Sequence, residues 1–262
     1  MPLQAHTLAE LAQHLENCQL QAQDTLKITE AHPDMDWDDA YAIQDLILAS
    51  KLRKGARVVG YKAGLTSHAK MKQMGVTDPV FGFLVDEYVV AEGAEVKVSE
   101  LIHPKVEPEI CFITRTELTG PGCHIGAVLA ASDVVLPGIE VIDSRYRDFK
   151  FDLKSVIADN TSAARFVVGG RVAPARDLDL RTLGVVLEKN GQPVALGAGA
   201  AVLGHPAAAV AMLVNHLGRR GQSLPAGSLV LSGGITEAVP VQAGDNVTLR
   251  IQNLGSVSVR FV

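Results

Sequence analysis

Cysteine is scarce: Cys18, Cys111 and Cys123 are the three in a chain of 262 residues, an odd number with no C-x-x-C spacing. That excludes a disulfide framework and a zinc ribbon, and fits a reducing cytosol. Positive charge is also short. The 24 Lys and Arg residues against 29 Asp and Glu leave a net charge of -5. No basic field draws in a phosphate backbone, so nucleic acid is excluded as a partner. Long apolar runs are missing as well, since 196-LGAGAAVLG-204 is far too short to cross a bilayer. The N-terminus, MPLQAHTLAELAQHLENC, lacks the basic start and apolar core of a secretory signal. A soluble, cytoplasmic protein with no membrane partner is expected. The patterns G-x-G-x-x-G, G-x-x-x-x-G-K-[ST] and G-x-S-x-G are absent, which removes the usual nucleotide loops and a serine nucleophile elbow.

What is present is globular: 47 % hydrophobic and 20 % charged residues, enough for one large domain or a main domain with an appendage. Leu8, Leu11, Leu15 and Cys18 fall on one stripe of a helix expected over 7–25, and Trp37, Ala40, Ile43, Leu46 and Ile47 on one over 37–54. RVVGYKAG (57–64) reads as a strand entering a loop, and 65–75 as a short helix. Short β-branched segments follow at 106–114, 134–143, 165–170, 184–189 and 228–232. Residues 246–262 alternate at period two, and 206–220 is helical with Pro206 in its first turn. The absence of β-α-β alternation argues against a doubly wound sheet. A loop containing Pro79 and Gly82 marks a boundary, giving an N-terminal helical region at 1–80 and a strand-rich core at 81–262.

The strongest chemical signal is 103-HPKVEPEICF-112. In an extended segment Glu107 and Glu109 point to one face, beside an apolar run bound for the core. Like charges there need a cation or a basic partner. Glu140 repeats the situation in the apolar strand 134-VVLPGIEVID-143. Oxygen ligands favour Mg²⁺, Mn²⁺ or Ca²⁺. Solvent-facing glutamates, or ion pairs with Lys105 or Arg145, are the more ordinary reading of the pattern, which by itself leaves both open. Lys62, flanked by Gly60 and Gly64, could approach a ligand or sit on the surface of a turn. The 158-ADNTSA-163 segment could bind a carboxylate or form an Asx turn. LSGGIT (231–236) could offer backbone N–H groups to an anion. His205 reads as structural, and Cys111 as a small core hydrophobe.

Together GYKAGLTS (60–67), PVFGFL (79–84), KVEPEICF (105–112), LPGIEVIDSRYRDFKF (136–151), VIADNTSAARFVVGG (156–170), LGAGAAVLGHP (196–206) and LSGGIT resemble the fumarylacetoacetate hydrolase superfamily over nearly the whole chain. The branch most resembled is that of the 2-hydroxypenta-2,4-dienoate hydratases and 4-oxalocrotonate (2-oxo-3-hexenedioate) decarboxylases of meta-cleavage aromatic catabolism. The resemblance implies an α+β fold, a mixed β-roll with a small helical N-terminal region. It implies Mg²⁺ or Mn²⁺ on Glu107, Glu109 and Glu140, with Lys62 as the active-site lysine. Hydratases of the branch carry an acidic residue in P-D-[FY]-G where this chain has Val80, and RYRDFKFDL (145–153) looks like the decarboxylases. The expectation is therefore decarboxylation of a 2-oxo dicarboxylate, with Val80, Asn160 and Ser162 contacting it. Hydration, or a non-catalytic role stabilising a sister hydratase, is the alternative. A homo-oligomer and a complex with such a hydratase are the expected assemblies.

Overall fold

The computed structural model describes residues 2–67, 71–72 and 79–262. Two helices lead the chain, α1 (Ala5–Leu20) and α2 (Trp37–Arg53). Asp36 caps α2 through Asp39 N–H at 2.9 Å, and the Asp39 carboxylate returns the bond to Asp36 N–H, a reciprocal cap that fixes where the helix starts. Ala40, Ile43 and Ile47 are buried as the spacing predicts, whereas Trp37 and Leu46 stay exposed. The first helix stops at Leu20, short of residue 25: Ala22 turns left-handed at φ 49°, and Thr25 N–H is taken by the Arg145 carbonyl at 2.8 Å in an isolated bridge to Tyr146. The expected helix over 65–75 falls largely outside the described residues.

The strands are β1 (Val58–Gly64), β2 (Val80–Val85), β3 (Val89–Val90), β4 (Glu95–Val96), β5 (Lys105–Thr114), β6 (Ser132–Ile142), β7 (Ala163–Val168), β8 (Gly184–Lys189), β9 (Gln192–Ala198), β10 (Leu229–Leu231), β11 (Val239–Pro240), β12 (Asn246–Ile251) and β13 (Gly255–Phe261). Further helices are α3 (Ile125–Ala131), α4 (Leu153–Ala158) and α5 (Pro206–Arg219). One mixed sheet runs β2-β1-β10-β5-β6-β7-β3, with β11 also on β5; a second runs β4-β13-β12-β8-β9. The strand-rich, mixed architecture with leading helices is the one expected.

PVFGFL is a strand rather than the loop its Pro and Gly suggested. All six residues of β2 are buried, so no period-two alternation marks them. Gly82 is needed there because a Cβ would lie 2.6 Å from Thr161 Oγ1. The apolar length of α5 is used inside the protein, where Ala207, Val210, Leu213, Val214 and Leu217 are buried. His205 is structural: its Nδ1 accepts from Ala207 N–H at 3.0 Å and caps α5.

Candidate active site

The antiparallel register of β5 and β6 sets Glu107 opposite Glu140 and Glu109 opposite Gly138. Residues facing each other across a ladder share a sheet face, so the i, i+2 pair on β5 acquires Glu140 as a third neighbour. One carboxylate oxygen from each of the three lies within 4.8 Å of the others. Gly138 makes room for this, since a Cβ on it would lie 2.3 Å from the buried Cys111 Sγ.

Lys62 reaches the same face from two strands away. It is level with Leu231 of β10, which is in turn level with Cys111 of β5. Its Nζ stands 2.8 Å from Glu140 Oε1 and donates to the Thr161 carbonyl at 3.1 Å. The LSGGIT backbone closes the other side, with Gly233 N–H donating to Glu109 Oε2 at 2.6 Å. Gly233 has φ +106°, and a Cβ there would meet Thr66 Oγ1 at 2.0 Å. The position is therefore glycine for both backbone and space.

Lys62, Glu109 and Glu140 are 2 %, 0 % and 1 % exposed, so the charges sit in low dielectric. Burial raises Glu109 well above the ordinary carboxylate range, the Glu140 and Glu107 charges add to this, and Lys62 and Gly233 N–H pull it back only in part. Glu140 is also raised, by burial first, against the pull of Lys62. Burial works against the Lys62 ammonium, but Glu140, Glu107 and Glu109 outweigh it, and its pKa ends above the usual lysine value. It therefore keeps its proton at neutral pH.

A divalent cation fits this donor set. Among the described residues Glu109 Oε1 and Glu140 Oε2 are buried without a hydrogen-bond partner, and the three carboxylates converge on one point. The linkage sign follows. Glu109 holds its proton more tightly folded than unfolded, so its contribution to metal-free stability is present below the ordinary carboxylate range. It is lost as pH rises through the raised value. A bound cation removes that penalty. The rise in Tm on adding Mg²⁺ is expected to grow with pH, and scanning calorimetry with and without the ion at several pH values checks it. A shift independent of pH would place the ion elsewhere.

The cluster opens on a cavity of about 290 Å³ whose lining includes Lys62, Val80, Lys105, Glu107, Phe149 and Ser162. Val80 is thus brought to the site. Ser162 lines it too, with its Oγ buried and unbonded. Both ends of the Asn160 amide are engaged with Phe83: Oδ1 accepts from Phe83 N–H at 2.9 Å and Nδ2 donates to its carbonyl at 3.1 Å. Asn160 thereby fixes β2 against the site.

Thr161 is a lining residue that sequence reasoning missed, and its Oγ1 is likewise buried and unbonded. Asn160, Thr161 and Ser162 are all left-handed, with φ 48°, 51° and 61°. This is strained backbone for a β-branched residue. The turn is held by Arg145, which gives Nη1 to the Asp143 and Ala163 carbonyls at 2.6 and 3.1 Å and closes tightly on the Asp159 carboxylate and carbonyl. Burial pushes Asp159 up to about 6 despite the guanidinium. Neither ion pair considered from the sequence forms. Arg145 is committed to Asp159, and Lys105 lies 4.0 Å over the Phe149 ring.

The family model described as fumarylacetoacetate (FAA) hydrolase C-terminal matches residues 57–262. The chain belongs to the fumarylacetoacetate hydrolase family. Within that family it is 60 % identical over 252 residues to a 4-oxalocrotonate decarboxylase of Pseudomonas sp. (strain CF600), covering 96 % of each chain. It is 41 % identical over 236 residues, 89 % of each, to a 2-hydroxyhexa-2,4-dienoate hydratase of Comamonas testosteroni. The solved 4-oxalocrotonate decarboxylase from Pseudomonas putida G7, complexed with magnesium and adipate, superposes with a TM-score of 0.97 at 55 % identity over 99 % of both chains.

Proposed function

We propose that this protein decarboxylates 2-oxo-3-hexenedioate (4-oxalocrotonate) to 2-hydroxypenta-2,4-dienoate and CO₂. The observation that carries the reading is the cluster of half-buried Glu107 with buried Glu109, Glu140 and protonated Lys62, beside a cavity whose wall has valine at position 80. It is supported by the 60 % identity to a protein of that name. A divalent ion, Mg²⁺ or Mn²⁺, held by Glu107, Glu109 and Glu140 supplies Lewis-acid charge for the oxygen that gains electrons as CO₂ leaves.

Lys62 adds a fixed positive charge beside that oxygen, held by Glu140 and the Thr161 carbonyl so that it need not reorganise during the reaction. Since it stays protonated it can give a hydrogen bond or a proton, and does not act as an amine nucleophile. Among the described residues the Thr161 and Ser162 hydroxyls are buried donors without an acceptor, placed to receive substrate oxygens. The substrate's outer carboxylate must be held without being over-stabilised, because tight anion binding opposes its loss. Val80 and Val156 give that region an apolar wall suited to neutral CO₂. The protein works as a soluble cytoplasmic enzyme of aromatic catabolism, as a homo-oligomer and alongside a hydratase that consumes its product.

Supplying 2-oxo-3-hexenedioate with Mg²⁺ and identifying the product tests the reading. CO₂ with a conjugated dienol is expected; no CO₂ from the diacid, with consumption of separately supplied 2-hydroxypenta-2,4-dienoate, would assign hydration instead. Val80 is 1 % exposed, so Val80→Asp places a carboxyl against the cavity. The expected outcome is slower CO₂ release, with 4-hydroxy-2-oxopentanoate appearing among the products by chromatography. Unchanged output on both counts would remove Val80 from the choice of reaction.

A further inference from the structure

The face of β5 that carries Glu109 and Glu107 continues to Lys105, which pairs across the ladder with Ile142. The two-residue step from Glu107 to Lys105 spans about 7 Å of strand, the scale separating the two ends of a six-carbon dicarboxylate. Lys105 lines the same cavity as Lys62. Its Nζ lies 4.0 Å above the Phe149 ring, and among the described residues no carboxylate forms an ion pair with it. The ring is placed with some strain, since Asp148 and Phe149 both adopt left-handed backbone at φ 57° and 56°. It is braced by His103, with ring centroids 4.7 Å apart.

We propose that Lys105, carried on the Phe149 ring, receives the outer carboxylate of the substrate and so sets the preference for a dicarboxylate over the shorter monocarboxylate. This rests on the reading that a 2-oxo acid head sits at the three glutamates. A lysine already paired with a carboxylate would not take up another anion. A lysine with no partner would be stranded in a half-apolar cavity once CO₂ has gone. The ring face solves both problems: it attracts the ammonium by its quadrupole, more weakly than a carboxylate would, and is still there after the anion has left. The substrate carboxylate is thus oriented without the strong stabilisation that would oppose its loss.

Titration calorimetry of Mg²⁺-loaded protein with two unreactive acids tests this: 2-oxohexanedioate, which has the outer carboxylate, and 2-oxopentanoate, which lacks it. The wild type is expected to bind the diacid about tenfold more tightly, the scale of one charge-assisted contact. Lys105→Gln should bring the two affinities together by weakening the diacid alone, and Lys105→Arg should keep the preference. Phe149→Leu, with Lys105 still present, should reduce the preference partially. If Lys105→Gln does not fold, the proposal stands or falls on Phe149→Leu. An undiminished preference in the testable variant, or equal binding of both acids by the wild type, overturns it. If neither acid binds the wild type, the reading of the glutamate site fails first and takes this one with it.

Discussion

Lys62→Met is expected to lower kcat by roughly 10²–10⁴-fold, the range for removing a positioned charge or proton donor from a reacting centre. The side chain is 3 % exposed and its ammonium is 2.8 Å from Glu140 Oε1, so its loss strands buried carboxylates with no cation. Removing one partner of such a pair costs about 3–5 kcal/mol. Metal-free Lys62→Met should therefore unfold at much lower denaturant than the wild type. The third consequence has the opposite sign. With one positive charge fewer beside them, the three glutamates should bind a divalent cation more tightly. Saturating Mg²⁺ is thus expected to restore most of the stability and none of the rate. Denaturation with chelator and with Mg²⁺, beside steady-state kinetics, separates these effects. A rate recovered along with stability would reduce Lys62 to a structural role.

Glu109→Gln should behave as the mirror image. Glu109 is fully buried, and its Oε2 accepts a hydrogen bond from Gly233 N–H. A glutamine can keep that bond through its carbonyl oxygen while turning its NH₂ toward Glu140 and Glu107. One repelling charge disappears and the metal-free protein is expected to gain stability, because burial and the neighbouring carboxylates already work against that charge. The same change removes a charged ligand. Divalent cation affinity is expected to fall by at least a hundredfold, since losing even a supporting residue costs up to about that much. Turnover falls with it. Calorimetric Mg²⁺ titration and chemical denaturation of the chelated variant report the two signs. A variant that keeps its metal affinity would take Glu109 out of the centre.

Much of this was legible beforehand, residue by residue. The apolar strand around Glu140 needed a partner for its charge, and the ladder register supplies one in Lys62. Glu107 and Glu109 shared a face because period-two alternation allows nothing else in an extended segment. The helix over 37–53 was readable from Ala40, Ile43 and Ile47, while β2 was not, because a strand buried on both faces has no alternation and its Gly82 looks like a turn.

Thr161 shows the limit most clearly. Nothing in 158-ADNTSA-163 announces three successive left-handed residues, since these are short polar side chains that also suit an Asx turn. The conformation is imposed by distant partners, with Arg145 closing on Asp159 and the Phe83 backbone holding the Asn160 amide. Arg145 likewise appeared free to pair with a glutamate. Only the fold shows that it is enclosed with an aspartate 14 residues further along.

The sequence by itself determined which residue types could hold a cation, that two of them faced the same way, and which family they belong to. Local period and side-chain chemistry suffice for the first two, and the third rests on the resemblance of the ordered motifs along the chain. The tertiary structure decided that the three carboxylates and Lys62 converge, that Thr161 holds the lysine, and that Lys105 rests on an aromatic ring. Those facts depend on strand register and on contacts across up to 99 positions of chain, as between Lys62 and Thr161, and no local pattern encodes them.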